Sequence, residues 1–124
     1  MRRSLLLMAV LVTTLLAGCI GVETYTDEGQ TIETSVNQQF VIALGSNRTT
    51  GYSWQESHDE AMLKLVEYIY KEKPKPGLVG AGGVEYFRSK AVKTGRTVIT
   101  LVYRRPWEEP TPEDVTKVFT IHIR

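Results

Sequence analysis

Bond-making chemistry has few starting points in this chain, which holds two histidines, His58 and His122, and one cysteine, Cys19, in 124 residues. Acid–base or nucleophilic catalysis needs an activated group beside an orienting partner, and neither histidine stands in a motif that supplies one. His122 lies between Ile121 and Ile123 and reads as an outward-facing strand residue, while His58 in Ser57-His58-Asp59-Glu60 reads as part of a turn. Consecutive Ser57, His58 and Asp59 do not make a triad, because triad members meet through folding. Two distant histidines and a lone cysteine also form an incomplete zinc ligand set, so no metal and no cofactor is expected.

The chemistry that the sequence does offer is that of binding, and it is concentrated in three segments. Asn47-Arg48-Thr49-Thr50-Gly51-Tyr52 has the makings of a stiff turn: Asn bonds its own backbone, β-branched threonines restrict χ1, and Gly permits positive φ. Gly80-Ala81-Gly82-Gly83 carries no large side chain, which lets another backbone approach closely. It lacks the Gly-Lys-Ser/Thr ending and following helix of a phosphate cradle. Arg105-Pro106-Trp107 joins a charged fork, a fixed φ and a broad indole, and Trp and Arg are residue types enriched among interface anchors.

The order and separation of these segments resemble those of the chagasin family of cysteine-protease inhibitors, whose three loops read roughly Asn-Pro-Thr-Thr-Gly-(Tyr/Phe), Gly-x-Gly-Gly and Arg-Pro-(Trp/Phe). The likeness spans about Gln38 to Ile123. It implies a reversible, noncovalent inhibitor, not an enzyme, whose partner is a papain-like cysteine peptidase. On that resemblance Asn47, Arg48, Thr49, Thr50, Gly51 and Tyr52 enter the catalytic cleft, with Thr49 and Thr50 at the cysteine–histidine pair. Gly80, Ala81, Gly82 and Gly83 settle on the non-primed side, and Arg105, Pro106 and Trp107 on the primed side. Arg48 departs from the pattern, standing where the family usually has proline, and without the fixed φ of proline its loop is expected to be freer. The competing class is an immunoglobulin-like adhesion or assembly module with a non-protease partner.

Strands must carry these loops. Short runs rich in Val, Ile, Thr, Tyr and Phe, punctuated by Gly, Pro, Asn and Asp, mark an all-β domain. Thr31–Val36, Phe40–Leu44, Tyr52–Glu56, Leu63–Tyr70, Val84–Val92, Thr97–Tyr103 and Val115–Ile123 give about seven strands. They fit an immunoglobulin-like antiparallel β-sandwich without a disulfide, since a sole cysteine has no internal partner. Phe40, Ile42 and Leu44 share one strand face, as do Phe119, Ile121 and Ile123, and both sets are assigned to the core. Trp54 is assigned to the core as well, with ligand stacking as its alternative. Between Ala61 and Lys71 the apolar residues Met62, Leu65, Val66, Ile69 and Tyr70 stripe a helix as well as they fill a strand. The β-branched and aromatic content there favours the strand.

The start of the chain reads as an address. Arg2 and Arg3 precede an apolar run, Leu5 to Leu16, that is short for a membrane span. Leu16-Ala17-Gly18-Cys19 looks like a prokaryotic lipobox, giving residues 1–18 as a lipoprotein signal peptide and Cys19 as the lipidated first residue. Residues 19–30, polar and without apolar period, then form a tether, or alternatively an edge strand, and residues 31–124 the domain. Such a protein is exported and lipid-anchored on the outer side of a prokaryotic membrane or in the cell envelope, and is expected to be monomeric. Loss of Arg2 and Arg3 leaves 15 − 2 = 13 basic against 14 acidic residues, a formal charge of −1. A nucleic-acid partner is not expected, since that function shows a basic face.

Overall fold

Strand faces are set by side-chain alternation, and strand β6, Gly83–Ala91, shows it without a break: every odd residue is buried and every even one half-exposed. The computed structural model describes residues 22–73 and 82–124. Its strands are β1 (Thr24–Tyr25), β2 (Ile32–Thr34), β3 (Gln39–Ser46), β4 (Ser53–His58), β5 (Leu63–Glu72), β6, β7 (Gly95–Arg104) and β8 (Val115–Ile123). They form two four-stranded sheets, ordered β1-β3-β6-β5 and β2-β8-β7-β4. All pairs are antiparallel except the edge pairs β1 with β3 and β2 with β8, which are parallel.

The expected all-β sandwich is therefore present, with eight strands among the described residues rather than about seven. The additional strand is β1, which falls inside the stretch read as a tether. Thr24 and Tyr25 pair with Val41 and Ile42, and the Glu28 carboxylate accepts the Val118 N–H at 2.9 Å. Residues 24–28 thus lie on the domain, as the edge-strand alternative had it, because a sheet edge offers unpaired backbone groups even to a polar segment. His58 is the second correction: it ends β4 instead of sitting in a turn, with Nδ1 2.7 Å from a Glu56 carboxylate oxygen.

The core lies between the sheets. Phe40, Ile42 and Leu44 from one sheet meet Ile99, Leu101, Phe119, Ile121 and Ile123 from the other, each at most 3 % exposed. Full burial of one such side chain is worth about 1.5–3 kcal/mol, enough for this set to hold the sheets together without a covalent link. Trp54 joins them, its indole N–H donating to Gly45 O at 2.9 Å.

Strand β5 is irregular at one point. Its register with β6 slips between Leu65 and Glu67, a β-bulge that leaves Val66 as an extra residue. Before the bulge Leu63 and Leu65 face the core; after it the phase inverts, and Tyr68 and Tyr70 stand opposite the inward residues Phe87 and Glu85.

Candidate functional site

Topology brings the three loops to one pole. Strands β3 and β5 are both antiparallel to β6, so they end at the same side. The short connection after β3 sends β4 away from that side, and β7, antiparallel to β4, returns to it. Segments 47–52, 73–82 and 105–114 therefore leave from one end of the sandwich.

The first loop is a closed turn. Asn47 adopts extended backbone, φ −122° and ψ 92°, and its side-chain oxygen accepts the Thr49 N–H at 3.2 Å, capping a single 3-10 turn over Arg48–Thr50. Asn47 O accepts both the Thr50 N–H at 3.2 Å and the Thr50 hydroxyl at 2.6 Å. Gly51 N–H donates to Arg48 O at 3.0 Å, and Gly51 ends the turn with φ 84°, a region that disfavours any residue bearing a Cβ.

The third loop grips the first. Arg105 Nε donates to Thr50 O at 3.0 Å, and its guanidinium lies 4.7 Å from the Tyr52 ring centroid. Its Nη1 also donates to Glu108 at 3.0 Å, the bond that holds the Arg105 pKa above its ordinary value. A Cβ built on Gly51 would lie 2.5 Å from Cη2 of Trp107, so the edge of the indole rests on the bare Cα of Gly51. Trp107 is otherwise 71 % exposed, and Pro106 beside it is exposed too. An indole so open to water contributes little to the fold and leaves its faces available to a partner.

Beneath both loops stands Tyr103, whose hydroxyl accepts the Asn47 N–H at 2.9 Å. Its ring stacks on Tyr52 at 5.3 Å and tilts against Trp54 at 4.9 Å. Arg105, Tyr52, Tyr103 and Trp54 thus form a ladder from loop surface to core.

Of the glycine segment, Gly80 and Ala81 lie outside the described residues. Gly82 has φ 80°, and a Cβ there would sit 3.2 Å from Ser46 O, so the end of the second loop passes close under the first. Lys73 N–H donates to Gly82 O at 3.0 Å, closing the base of the second loop.

Arg48, which stands in place of the family proline, reaches from the loop onto strand β5. Its Nη2 donates to the Tyr68 hydroxyl at 3.0 Å, and its guanidinium lies 4.8 Å from the Tyr70 ring centroid. The Tyr68 hydroxyl in turn donates to Glu85, whose other oxygen accepts the Trp54 N–H at 3.0 Å. Burial first, and then the hydrogen bond to Glu85, push the Tyr68 pKa above that of an ordinary phenol.

The structure thus groups Asn47, Arg48, Thr49, Thr50, Gly51, Tyr52, Gly82, Gly83, Arg105, Pro106 and Trp107 at one end. Sequence reasoning missed Tyr68, Tyr70, Glu85 and Tyr103 as parts of this end. One signal was available: Glu85 shares the period-two phase of Phe87, Ser89 and Ala91, and a carboxylate in phase with a core face needs partners.

A disulfide-free, immunoglobulin-like sandwich that presents interlocked loops from both sheets at one pole defines a loop-presenting binding domain. The chain belongs to the chagasin family of peptidase inhibitors, whose family model matches residues 33–123. It is 35 % identical over 94 residues to amoebiasin-1 of Entamoeba histolytica, covering 76 % of this chain and 90 % of that one. To chagasin of Trypanosoma cruzi it is 31 % identical over 102 residues, covering 77 % and 89 %. Among solved structures, the cysteine protease inhibitor EhICP2 of Entamoeba histolytica superposes with a TM-score of 0.70 at 28 % identity, covering 85 % of this chain and 99 % of that one. The Leishmania mexicana ICP structure gives a TM-score of 0.61 at 28 % identity, covering 80 % and 91 %.

Proposed function

We propose that this protein is a reversible, noncovalent inhibitor of papain-like cysteine peptidases that plugs the catalytic cleft with its loop end. The observation that carries the reading is the locking of the first loop by the third, through Trp107 on Gly51 and Arg105 on Thr50. A wedge held in shape before contact loses less conformational entropy on binding, and slow dissociation results.

The same geometry works against cleavage of the wedge. Attack by a thiolate requires a carbonyl whose oxygen is free to enter an oxyanion hole. In the first loop the carbonyls of Asn47, Arg48 and Thr50 all accept internal hydrogen bonds, the last from a side chain of another loop. These bonds fix the direction of those carbonyls, and realigning one for attack works against the turn. The protein acts on its target by occupation, not by chemistry, and works as a monomer.

The leader supports an envelope location. Arg2, Arg3, the Leu5–Leu16 run and Leu16-Ala17-Gly18-Cys19 support export, removal of residues 1–18 and lipidation of Cys19. Several acyl chains on that cysteine fix the domain to an envelope membrane, where it guards against external or misplaced proteases. Titration of a papain-like enzyme at nanomolar concentration tests the activity: equimolar, reversible loss of turnover is expected, and inert mixing directs the search to an adhesion partner. Intact mass of the envelope-extracted protein tests the anchor, and an unmodified Cys19 rejects it.

A further inference from the structure

We infer that Arg48, Tyr68, Tyr70, Gly83 and Glu85 form a brace that positions the first loop, with Arg48 a positioning residue and not simply a charge at the loop tip. The inference rests on the reading of this end as the protease-binding end, and adds to it the residues that hold the wedge in place.

Connectivity is the first argument. From Arg48 the chain of contacts runs to the Tyr68 hydroxyl, on to Glu85 Oε1, and from Glu85 Oε2 to the Trp54 N–H. Arg48 opens the 3-10 turn and Trp54 lies just beyond its end, so the path closes into a ring through the loop's own backbone. The two ends of the loop are thus tied to one another through β5 and β6: Arg48 follows β3, of the same sheet as Tyr68 and Glu85, while Trp54 belongs to β4 of the other sheet, so its bond to Glu85 crosses the sandwich. Glu85 is fully buried, and each of its oxygens has a partner within this ring.

Shape is the second. Arg48 rests on the ring of Tyr70, and that ring lies over Gly83: a Cβ at 83 would stand 2.3 Å from the Lys71 carbonyl oxygen and 2.8 Å from both Cζ and Oη of Tyr70. Gly83 has no positive φ to require glycine. Its missing side chain lets the β5 backbone at Lys71 approach and leaves room for the Tyr70 platform, so the last glycine of the segment has a packing role beneath the first loop. The bulge at Val66 completes the device, since regular pairing of the same residues past Leu65 would place Glu67 and Ile69 opposite Phe87 and Glu85 in place of Tyr68 and Tyr70.

The brace makes a specific prediction about order in the free protein. Amide exchange at Thr50 and Gly51, the two N–H groups that close the turn, is followed by NMR in wild type, Arg48→Ala, Tyr68→Phe and the double variant. Exchange is expected to rise about fivefold in Arg48→Ala, the scale of one exposed cation–π or charged hydrogen bond. Tyr68→Phe, which also strips Glu85 of a partner, is expected to raise exchange further than Arg48→Ala, and the double variant to fall short of the product of the two. Unchanged exchange in Arg48→Ala, or fully additive effects in the double variant, overturns the brace. Dissociation from a papain-like enzyme is measured on the same variants and is expected to quicken by about the same factor with the association rate nearly constant. A wild-type protein that binds no such enzyme overturns the inhibitor reading, while the exchange data still decide the brace.

Discussion

Replacing Gly51 with alanine tests the locking of the loops most directly, because the structure separates its effect into two parts. The first is conformational: at φ 84° an L-residue costs about 1–2 kcal/mol relative to glycine. The second is steric, since the new Cβ would lie 2.5 Å from Trp107 Cη2 and 3.0 Å from Cζ2. Trp107 is 71 % exposed, so its indole swings outward at little cost to the fold. Stability should therefore fall by only the first part, a drop in Tm of about 4–8 °C per kcal/mol for a domain of this size. Inhibition should fall further, because an interface anchor leaves its position: a loss of about 2 kcal/mol weakens Kd roughly 30-fold. Thermal unfolding and tight-binding titration are run on Gly51→Ala, Trp107→Ala and the pair. In the Trp107→Ala background the alanine at 51 meets only Arg105 Cγ, at an ordinary 3.6 Å, so its effect on Kd should shrink while its effect on Tm persists. A Gly51→Ala protein with wild-type affinity would refute the claim that the Trp107–Gly51 contact shapes the binding surface, and an unchanged Tm would refute the left-handed turn.

Three further outcomes are expected. Glu85→Gln leaves one partner of the buried carboxylate mismatched, so urea unfolding should show a loss of about 1–3 kcal/mol with an unchanged m-value. Thr49→Ala/Thr50→Ala removes the hydroxyls bound to Asn47 and should weaken inhibition by about 2 kcal/mol or more with only a small change in Tm, as calorimetry and titration together would show. At high pH the phenols report on the fold. Tyr68 is raised above 10.0, and Tyr25 is pushed up to about 12, first by burial and then by its hydrogen bond to Glu23. Below the ordinary phenol value both states keep these protons and the contribution is whole; above it the unfolded chain sheds them first, so stability declines as pH rises through the folded-state values. Thermal unfolding from about pH 9 to about pH 12 should show that decline, shallower in Tyr68→Phe.

Individual residues show where sequence reading succeeded and where it stopped. The period-two runs Phe40-Ile42-Leu44 and Phe119-Ile121-Ile123 name their own buried faces, and the structure buries all six. The Asn-to-Gly spacing of residues 47–51 announces a capped turn, and a capped turn is present. Residues 61–71 were harder, for a physical reason. The bulge at Val66 shifts the inward phase from Leu63 and Leu65 to Tyr68 and Tyr70, and a phase shift by one residue in a strand imitates the three-and-four spacing of a helix. Arg48 shows another boundary. Its backbone propensity says that the loop loosens without proline, but a long side chain acts on whatever lies within its reach, and only the fold puts Tyr68 and Tyr70 there.

By itself the sequence determined the all-β class, the strands, the capped turn and the family of the three loops, because each is written in local periodicity, turn chemistry or motif order. Tertiary structure alone decided that the third loop lies on the first, that Gly83 leaves room for the Lys71 carbonyl and the ring of Tyr70, and that a buried Glu85 ties both sheets behind the loop. Those are contacts between residues far apart in the chain, and their existence depends on strand register and sheet order, which no local pattern encodes.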